Sequence, residues 1–490
     1  MKRVSTILKH RWADCKAILG SVCALAMLAL PVLAYAHGAE RGLIMLLPTG
    51  YYLTGGAIAV AASFAVLVLV PPALFSRAAG ATARYRDLPA PSPIVTSLVS
   101  SAFLALLLII GFFGTHDPLE NPLPLVIWTF FWVIFTLIQA VFGNLWPWLN
   151  PWTGPLAALR RLGGRGLGTK PLVPFPKWLG TAPALLLFML FAWYELVSLS
   201  PEDPPSLAVI VLGYWLFTLA MMIVFGEQAW AARGEPFSIY FRLIGRLAPL
   251  SFSPGNRAWR ADVELSWPGA RAVRSAPPSL TAALFLLATL GTASFDGFSE
   301  TFTWLVAIGI NPLEFPGRSA VMGANTLGLI AAPVTLAVLF FSAVLAGAWL
   351  AGERKSEGLF RLARHLVYSI VPIAVAFHAA HYLTLMLING QYLLVVLSDP
   401  LGRGWDLFGT ADWHVTASFL NNIDSVETIW IAQTLIIVVG HCIGILLAHM
   451  IALRHFSSPH RAALSQVFLA LVMVFYTVFG LWLLSTPSAS

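Results

Sequence analysis

Long apolar runs dominate the chain, and short polar segments separate them. Each run is about 20 residues long, the length that an α-helix needs to cross the hydrocarbon core of a bilayer. The pattern predicts an all-α fold, a polytopic transmembrane helix bundle of about ten spans. The predicted spans lie near 51–75, 93–114, 123–143, 178–199, 206–226, 278–295, 324–350, 366–397, 425–453 and 465–485.

The composition supports the same fold class. Hydrophobic residues make up 58% of the chain and charged residues only 10%, which excludes a soluble globular protein. The formal net charge of +7 would be compatible with nucleic-acid binding, but the placement of the basic residues indicates membrane orientation instead.

Lys and Arg are distributed asymmetrically. Beyond residues 1–16, all of them lie in five segments, except Arg41, Arg318 and Arg403. The five basic segments are 76–92, 144–177, 227–277, 351–365 and 454–464. Because cytoplasmic loops carry the excess of Lys and Arg, these segments are predicted to face the cytoplasm. We therefore expect a multi-pass protein of a bacterial-type inner (plasma) membrane, with both mature termini outside and no nucleic-acid partner.

The first 36 residues have the layout of a secretory signal peptide. Residues 1–16 are basic, residues 17–33 are apolar, and the small-x-small pattern Ala34-Tyr35-Ala36 follows. Cleavage after Ala36 would leave 37–490 as a single polytopic transmembrane domain. The alternative is an uncleaved first membrane helix.

Two connecting stretches are more than simple loops. Residues 296–323 contain the short apolar piece TFTWLVAIGI, which predicts a re-entrant or surface helix. Residues 398–424 are long and aromatic, and we expect them to form an extracytoplasmic cap over the mouth of the bundle.

Four histidines occur inside apolar spans, where ionisable groups are rare and usually functional. His378 and His381 are three residues apart, so they share one face of a helix. His441 lies at the same predicted depth on the next span, and His449 lies about 12 Å nearer the cytoplasm. Imidazole is the commonest metal ligand, so these residues are candidate ligands of a divalent transition metal, zinc or copper. Hydrogen bonding between helices and proton relay are the alternatives.

Asp296 and Gln391 are the candidate catalytic residues. Asp296 lies near the outer end of its span, where its carboxylate could act as a base, ligate the metal or cap the next short helix. Gln391 follows the His378/His381 pair on the same span, where its amide could orient a polar substrate.

A second candidate metal site lies on the outer side. An N-terminal His37 would offer an amine and an imidazole together, a chelate suited to copper(II). His116 and His414 are also predicted to be outside, and they could complete such a copper site.

Several segments of the chain resemble the integral-membrane proteins known as fenitrothion hydrolases. These segments are LNPW (149–152), EPFSIYFRLIGRLAPL (235–250), SFDGF (294–298), AHYLTLMLINGQ (380–391), LSDPLGRGWDLFGT (397–410) and GHCIGILLAHMIAL (440–453). The resemblance implies hydrolysis of aryl phosphotriesters or thiophosphotriesters with release of a phenol. The positions that it carries over are Asp296, His381, Gln391, Asp399, Asp406, His441 and His449.

These observations predict a membrane-embedded hydrolase of apolar organophosphates, in which a metal-activated water attacks phosphorus. The expected partners are an apolar small-molecule substrate, the lipid bilayer and a related membrane subunit. The alternative function is the handling or transport of copper or another transition metal. A scaffold whose histidines only join helices is the third interpretation. P-loop, GxSxG, HExxH and CxxCH motifs do not occur in the sequence.

Overall fold

The structure is a computed structural model that describes residues 47–163, 171–255, 257, 259–314 and 317–486. Across these residues the fold is a bundle of apolar helices. The predicted signal peptide and His37 lie outside the described residues. The helices are Thr49–Leu69, Pro72–Gly80, Pro93–Phe113, Pro122–Phe142, Trp146–Leu149, Thr153–Gly163, Ala182–Leu196, Pro204–Phe225, Glu227–Arg233, Pro236–Ile244, Ala270–Arg274, Leu280–Ser299, Phe302–Ala307, Arg318–Leu350, Ser356–Leu366, Ile370–His381, Leu383–Ser398, Ile423–His455, Pro459–Leu464 and Val467–Ser485.

In the described part of the chain, nine helical segments are long and apolar enough to cross a membrane. They correspond to nine of the ten predicted spans, so the prediction of an all-α polytopic bundle is confirmed. The remaining predicted span, 178–199, contains the shorter helix Ala182–Leu196. Its 15 residues extend about 22 Å, which is less than the thickness of the hydrocarbon core.

The predicted span 366–397 is not one continuous helix. Ile370–His381 and Leu383–Ser398 are separate helices, and Tyr382 between them has φ −91° and ψ 8°. The break leaves His381 and Tyr382 together at a helix junction. These two neighbouring residues contribute side chains to the same buried cluster, described below.

Glycines allow the central helices to approach closely. Gly440 and Gly444 on Ile423–His455 face Ile370–His381. A Cβ at Gly440 would overlap the Cβ of Ala376, and one at Gly444 would lie 2.9 Å from the Ser369 carbonyl oxygen. Small residues at such contacts are typical of membrane helix pairs, where packing rather than water exclusion drives association.

A small antiparallel sheet, absent from the sequence-based prediction, joins two of the basic segments. Its strands are β1 (Thr82–Pro89), β2 (Leu250–Pro254) and β3 (Arg260–Ser266), in the order β1-β3-β2. All of β1 is exposed, so it lacks the alternation of apolar and polar residues that marks a half-buried strand. That is why these segments were predicted as connecting loops.

The two longer connections contain only short elements between the long helices that flank them. In the described part of 296–323, the helix Phe302–Ala307 has six residues, and the 3-10 turn Pro312–Glu314 follows it. Within 398–424 the structure has turns and the 3-10 helix Ser418–Asn421. The former stretch therefore contains a short helix, as the sequence indicated, but its length of about 9 Å is far below that of a membrane-crossing segment.

Candidate functional site

Asp296 and His381 form an acid–imidazole pair between two helices of the bundle. Asp296 lies in the last turns of Leu280–Ser299, and His381 ends Ile370–His381. Nε2 of His381 is 2.9 Å from Oδ2 of Asp296. The side chain of Asp296 is 12% exposed and that of His381 is 17% exposed, so the pair is largely enclosed but still has an accessible edge. The sequence singled out both residues, and the structure brings them into contact.

The helix that carries Asp296 continues through Gly297 to Ser299, so Asp296 does not lie at the start of the next helix. Thr301 caps the next helix instead, with its hydroxyl accepting a hydrogen bond from the Trp304 N–H at 3.2 Å. The capping role considered for Asp296 is therefore taken by Thr301. The Asp296 carboxylate faces the interior of the bundle.

Tyr382 completes the cluster around Asp296. Its hydroxyl donates to Oδ2 of Asp296 at 2.8 Å, so this one oxygen receives both Tyr382 and His381. The same hydroxyl lies 3.4 Å from Oε1 of Glu195 and 3.4 Å from Nε1 of Trp132. A hydroxyl has one proton, so it cannot donate to both carboxylates at once. The hydroxyl therefore donates to one carboxylate at a time, and the shorter distance favours Asp296.

A positive charge lies at the same end of the bundle. The guanidinium of Arg318 donates to the carbonyl oxygens of Glu195 and Ser198, at 3.2 and 3.1 Å. No sequence motif groups Tyr382, Glu195 and Arg318 with Asp296, because they come from three separate segments. Two weak signals were present in the sequence: Tyr382 follows His381 directly, and Glu195 is an acidic residue near the end of an apolar helix.

The two histidines of the predicted pair contact different neighbours. Nε2 of His378 is 3.1 Å from the backbone carbonyl of Trp132, and its ring packs edge-on against the Trp132 indole. The three-residue spacing of His378 and His381 places these two side chains about 60° apart around the helix axis. That angle is enough for His381 to reach Leu280–Ser299 while His378 reaches Pro122–Phe142.

The other two candidate metal ligands are also hydrogen-bonded within the bundle. Nδ1 of His441 is 2.9 Å from the carbonyl oxygen of Ile437, and Nδ1 of His449 is 3.2 Å from Nε2 of Gln466. Within the ranges that the structure describes, Nε2 of His441 is buried without a hydrogen-bond partner.

The structure shows no assembled metal centre among the described residues. In that part of the chain, no group of three or more His, Cys, Asp or Glu residues is arranged to hold a metal ion. A metal held by His378, His381, His441 and His449 therefore stays a prediction, and no step of the mechanism below passes through a metal.

Gln391 has a different environment from Asp296. Its amide nitrogen donates to the carbonyl oxygens of Leu387 and Thr416, at 2.7 and 3.1 Å. Its amide oxygen accepts from the Thr416 N–H at 3.1 Å. These bonds attach the stretch 398–424 to the helix Leu383–Ser398. Its predicted catalytic role stays a prediction.

Two carboxylates from the resembling segments organise the predicted cap. Asp399 accepts hydrogen bonds from the N–H groups of Arg403 and Gly404, at 2.9 and 2.7 Å. Asp406 accepts from the Ala411 N–H at 3.1 Å and from the Ser398 hydroxyl at 2.8 Å. These backbone donors hold the pKa values of both carboxyl groups below their usual range.

The structure does not assemble the outer copper site. His116 and His414 are both exposed, and Nδ1 of His414 lies 3.2 Å from the carbonyl oxygen of Asp412. Because His37 lies outside the described residues, copper handling stays a prediction.

Comparison with known proteins gives no relative: no family model, curated protein or solved structure matches the chain. The resemblance to fenitrothion hydrolases thus rests on the quoted segments alone. The fold defines the class of the protein, a multi-pass α-helical membrane protein, and its most distinctive polar feature is the buried cluster of Asp296, His381, Tyr382 and Glu195.

Proposed function

We propose that this protein is a membrane-embedded hydrolase of apolar aryl phosphotriesters or thiophosphotriesters, and that the Asp296–His381 pair activates the attacking water. The contact of 2.9 Å between Nε2 of His381 and Oδ2 of Asp296 carries the proposal. A carboxylate paired with an imidazole in a largely enclosed, partly accessible position is a typical arrangement for general acid–base chemistry. The resemblance supplies the substrate class.

The carboxylate is held so that one oxygen remains for chemistry. His381 and Tyr382 both bind Oδ2, which fixes the plane of the carboxylate and directs Oδ1 away from these two donors. In the proposed reaction, Oδ1 accepts a proton from water as the water oxygen attacks phosphorus. The P–O bond to the aryl group breaks, and the phenoxide takes up the proton. The products are a phenol and a dialkyl phosphate or thiophosphate.

The location suits an apolar substrate. A neutral aryl phosphotriester partitions into lipid, and in this proposal it enters the apolar bundle from the bilayer. In this proposal, water reaches the carboxylate at the exposed edge of the pair, whose side chains are 12% exposed for Asp296 and 17% exposed for His381. Substrate and water would then meet at the cluster.

We further propose an orientation in which the cluster lies near the extracytoplasmic face. The basic segment 227–277 precedes Leu280–Ser299, and Asp296 lies at the opposite end of that helix. If Lys- and Arg-rich loops face the cytoplasm, Asp296 lies toward the outside. The proposed compartment is a bacterial-type inner membrane.

The test is phenol release from an aryl dialkyl thiophosphate by the detergent-purified protein. Asp296→Asn removes the proton acceptor with little change in shape, so we expect turnover to fall by about 100-fold or more. Asp424→Asn is the matched control, because Asp424 is an exposed residue in the first turn of Ile423–His455. Turnover by Asp296→Asn equal to that of the control would contradict the proposal.

The same assay with a strong chelator examines the metal prediction separately. Hydrolysis that depends on Asp296 and survives the chelator is the result expected for the Asp296–His381 chemistry. Loss of turnover that added zinc or copper restores would instead favour the predicted metal site.

A further inference from the structure

A basic cavity lies beside the three-stranded sheet, away from the Asp296 cluster. Its volume is about 370 Å³, which falls within the range of small-ligand sites. It lies in the part of the chain predicted to face the cytoplasm. Its charged lining residues are Arg84, Arg242, Arg246, Arg271, Arg274 and Glu264.

Backbone carbonyl oxygens hold two of the arginines in place. Arg271 donates to the carbonyl oxygens of Gly245 and Ala248, at 2.5 and 2.9 Å. Arg274 donates to the carbonyl oxygen of Ala79 at 2.8 Å. A carbonyl oxygen orients a guanidinium without neutralising its charge. These side chains are therefore positioned by the fold and remain cationic.

The cavity has more positive than negative charge. Glu264 is the one acidic residue in the lining, and it pairs with Arg84 at 3.0 Å and with Arg274. The guanidinium of Arg246 lies over the Tyr368 ring, 4.8 Å from its centroid, and also contacts its hydroxyl. The lining thus contains five guanidinium groups and one carboxylate.

Burial makes this charge costly. It lowers the pKa of Arg271 to about 10 and also lowers the pKa of Arg242, which lies near Arg246. In the described structure, Nε of Arg271 is buried without a hydrogen-bond partner. A bound anion would offset the repulsion among the guanidinium groups and could accept hydrogen bonds from the lining.

The positive-inside rule explains why arginines occur in these loops, but it requires only that they be present. It does not require that they converge on one cavity, as they do here. Arginine presents a planar array of donors that matches phosphate oxygens in pairs, which makes it a preferred residue for phosphate recognition. We propose that this cavity binds a phosphate group, either the headgroup of an anionic phospholipid or a phosphorylated solute.

The experiment measures binding to the purified full-length protein with two probes. One probe is inorganic phosphate, compared with chloride at equal ionic strength. The other is phosphatidylglycerol, compared with phosphatidylcholine in nanodiscs or by native mass spectrometry. The test variant is Arg84→Gln/Arg246→Gln. The control variant is Arg361→Gln, which removes an exposed arginine paired with Glu357 outside the cavity.

We expect saturable binding of at least one probe, weakened about tenfold or more in Arg84→Gln/Arg246→Gln and unchanged in Arg361→Gln. Binding of inorganic phosphate would support a phosphorylated solute, and selective retention of phosphatidylglycerol alone would support a lipid headgroup. Binding of neither probe would overturn the proposal. Equal losses in the test and control variants would also overturn it, since they would indicate a general effect of surface charge.

A second variant, Glu264→Gln, is expected to strengthen binding, and misfolding would not produce that result. Glu264→Gln removes the carboxylate that competes for Arg84 and Arg274. The cavity becomes more positive, so we expect the probe to bind several-fold more tightly. Weaker or unchanged binding in a folded Glu264→Gln protein would contradict the proposal.

Discussion

At the scale of single residues, the Tyr382 hydroxyl is the central contact of the proposed site. It lies 2.8 Å from Asp296 and 3.4 Å from Glu195, on two different helices. Two carboxylates near one hydroxyl repel each other unless a proton lies between them. In the proposed hydrolase, Tyr382 and Glu195 act as positioning residues that hold the Asp296 carboxylate in place.

Glu235 shows how the fold stabilises a fully buried carboxylate. It accepts hydrogen bonds from the N–H groups of Phe237 and Ser238, at 3.0 and 2.5 Å, and from Trp146 Nε1 at 3.2 Å. The Tyr214 hydroxyl is a fourth donor. Glu235 caps the helix that follows it and belongs to a segment on which the resemblance rests. These contacts are a structural reason for a glutamate at position 235 of that segment.

We expect Glu235→Gln to destabilise the protein by about 2–3 kcal/mol, because the amide NH2 group would face donors where the carboxylate oxygens now accept. Thermal unfolding in detergent measures this loss. Glu357→Gln is the control, since the Glu357 side chain is 82% exposed and pairs with Arg361 on the same helix. Equal melting temperatures for the two variants would refute the interpretation of Glu235.

At the scale of elements, close helix packing depends on particular glycines. Gly440→Ala would place a methyl group against Ala376 and 3.0 Å from the Pro372 carbonyl oxygen. We expect a loss of about 1–3 kcal/mol of stability, because the two helices must move apart. Thermal unfolding of the detergent-solubilised variant measures it.

Gly390→Ala is the matched control for this contact. Gly390 is also helical, and a Cβ there would have no neighbour within 4 Å. We expect this change to be neutral or slightly stabilising, since alanine favours the helix over glycine. If Gly440→Ala and Gly390→Ala unfold at the same temperature, the contact between Gly440 and Ala376 does not limit how closely the two helices pack.

Most of the elements were predictable from sequence because hydropathy is a local property. An apolar run such as 93–114 needs no knowledge of its neighbours to become the helix Pro93–Phe113. The break at Tyr382 and the sheet of β1, β2 and β3 were missed, since neither leaves a strong local pattern. Within this sheet, β1 pairs with residues of β3 that lie more than 170 positions further along the chain.

The site was predictable only as separate residues. Asp296 and His381 stood out as polar groups in apolar helices, but their contact depends on how the two helices pack. The expectation that His378 and His381 converge was based on their spacing along one helix. Side-chain direction also depends on the neighbouring helices, and Trp132 on one of them binds His378 instead.

At the scale of the whole molecule, the proposed orientation has a direct consequence. Ser200 lies in a connection predicted to be outside, and Ser356 begins a helix within the basic segment 351–365, which is predicted to be inside. We expect a membrane-impermeant maleimide to label Ser200→Cys in spheroplasts, and to label Ser356→Cys only after the membrane is opened. The reverse pattern would invert the orientation and place the Asp296 cluster near the cytoplasm.

The most direct test of the proposed function is hydrolysis of an aryl dialkyl thiophosphate in ¹⁸O-water by the purified protein. Attack of water on phosphorus predicts phenol release above the blank, with ¹⁸O in the dialkyl thiophosphate and none in the phenol. Absence of release, or ¹⁸O in the phenol, would contradict a hydrolase in which Asp296 and His381 direct water to phosphorus.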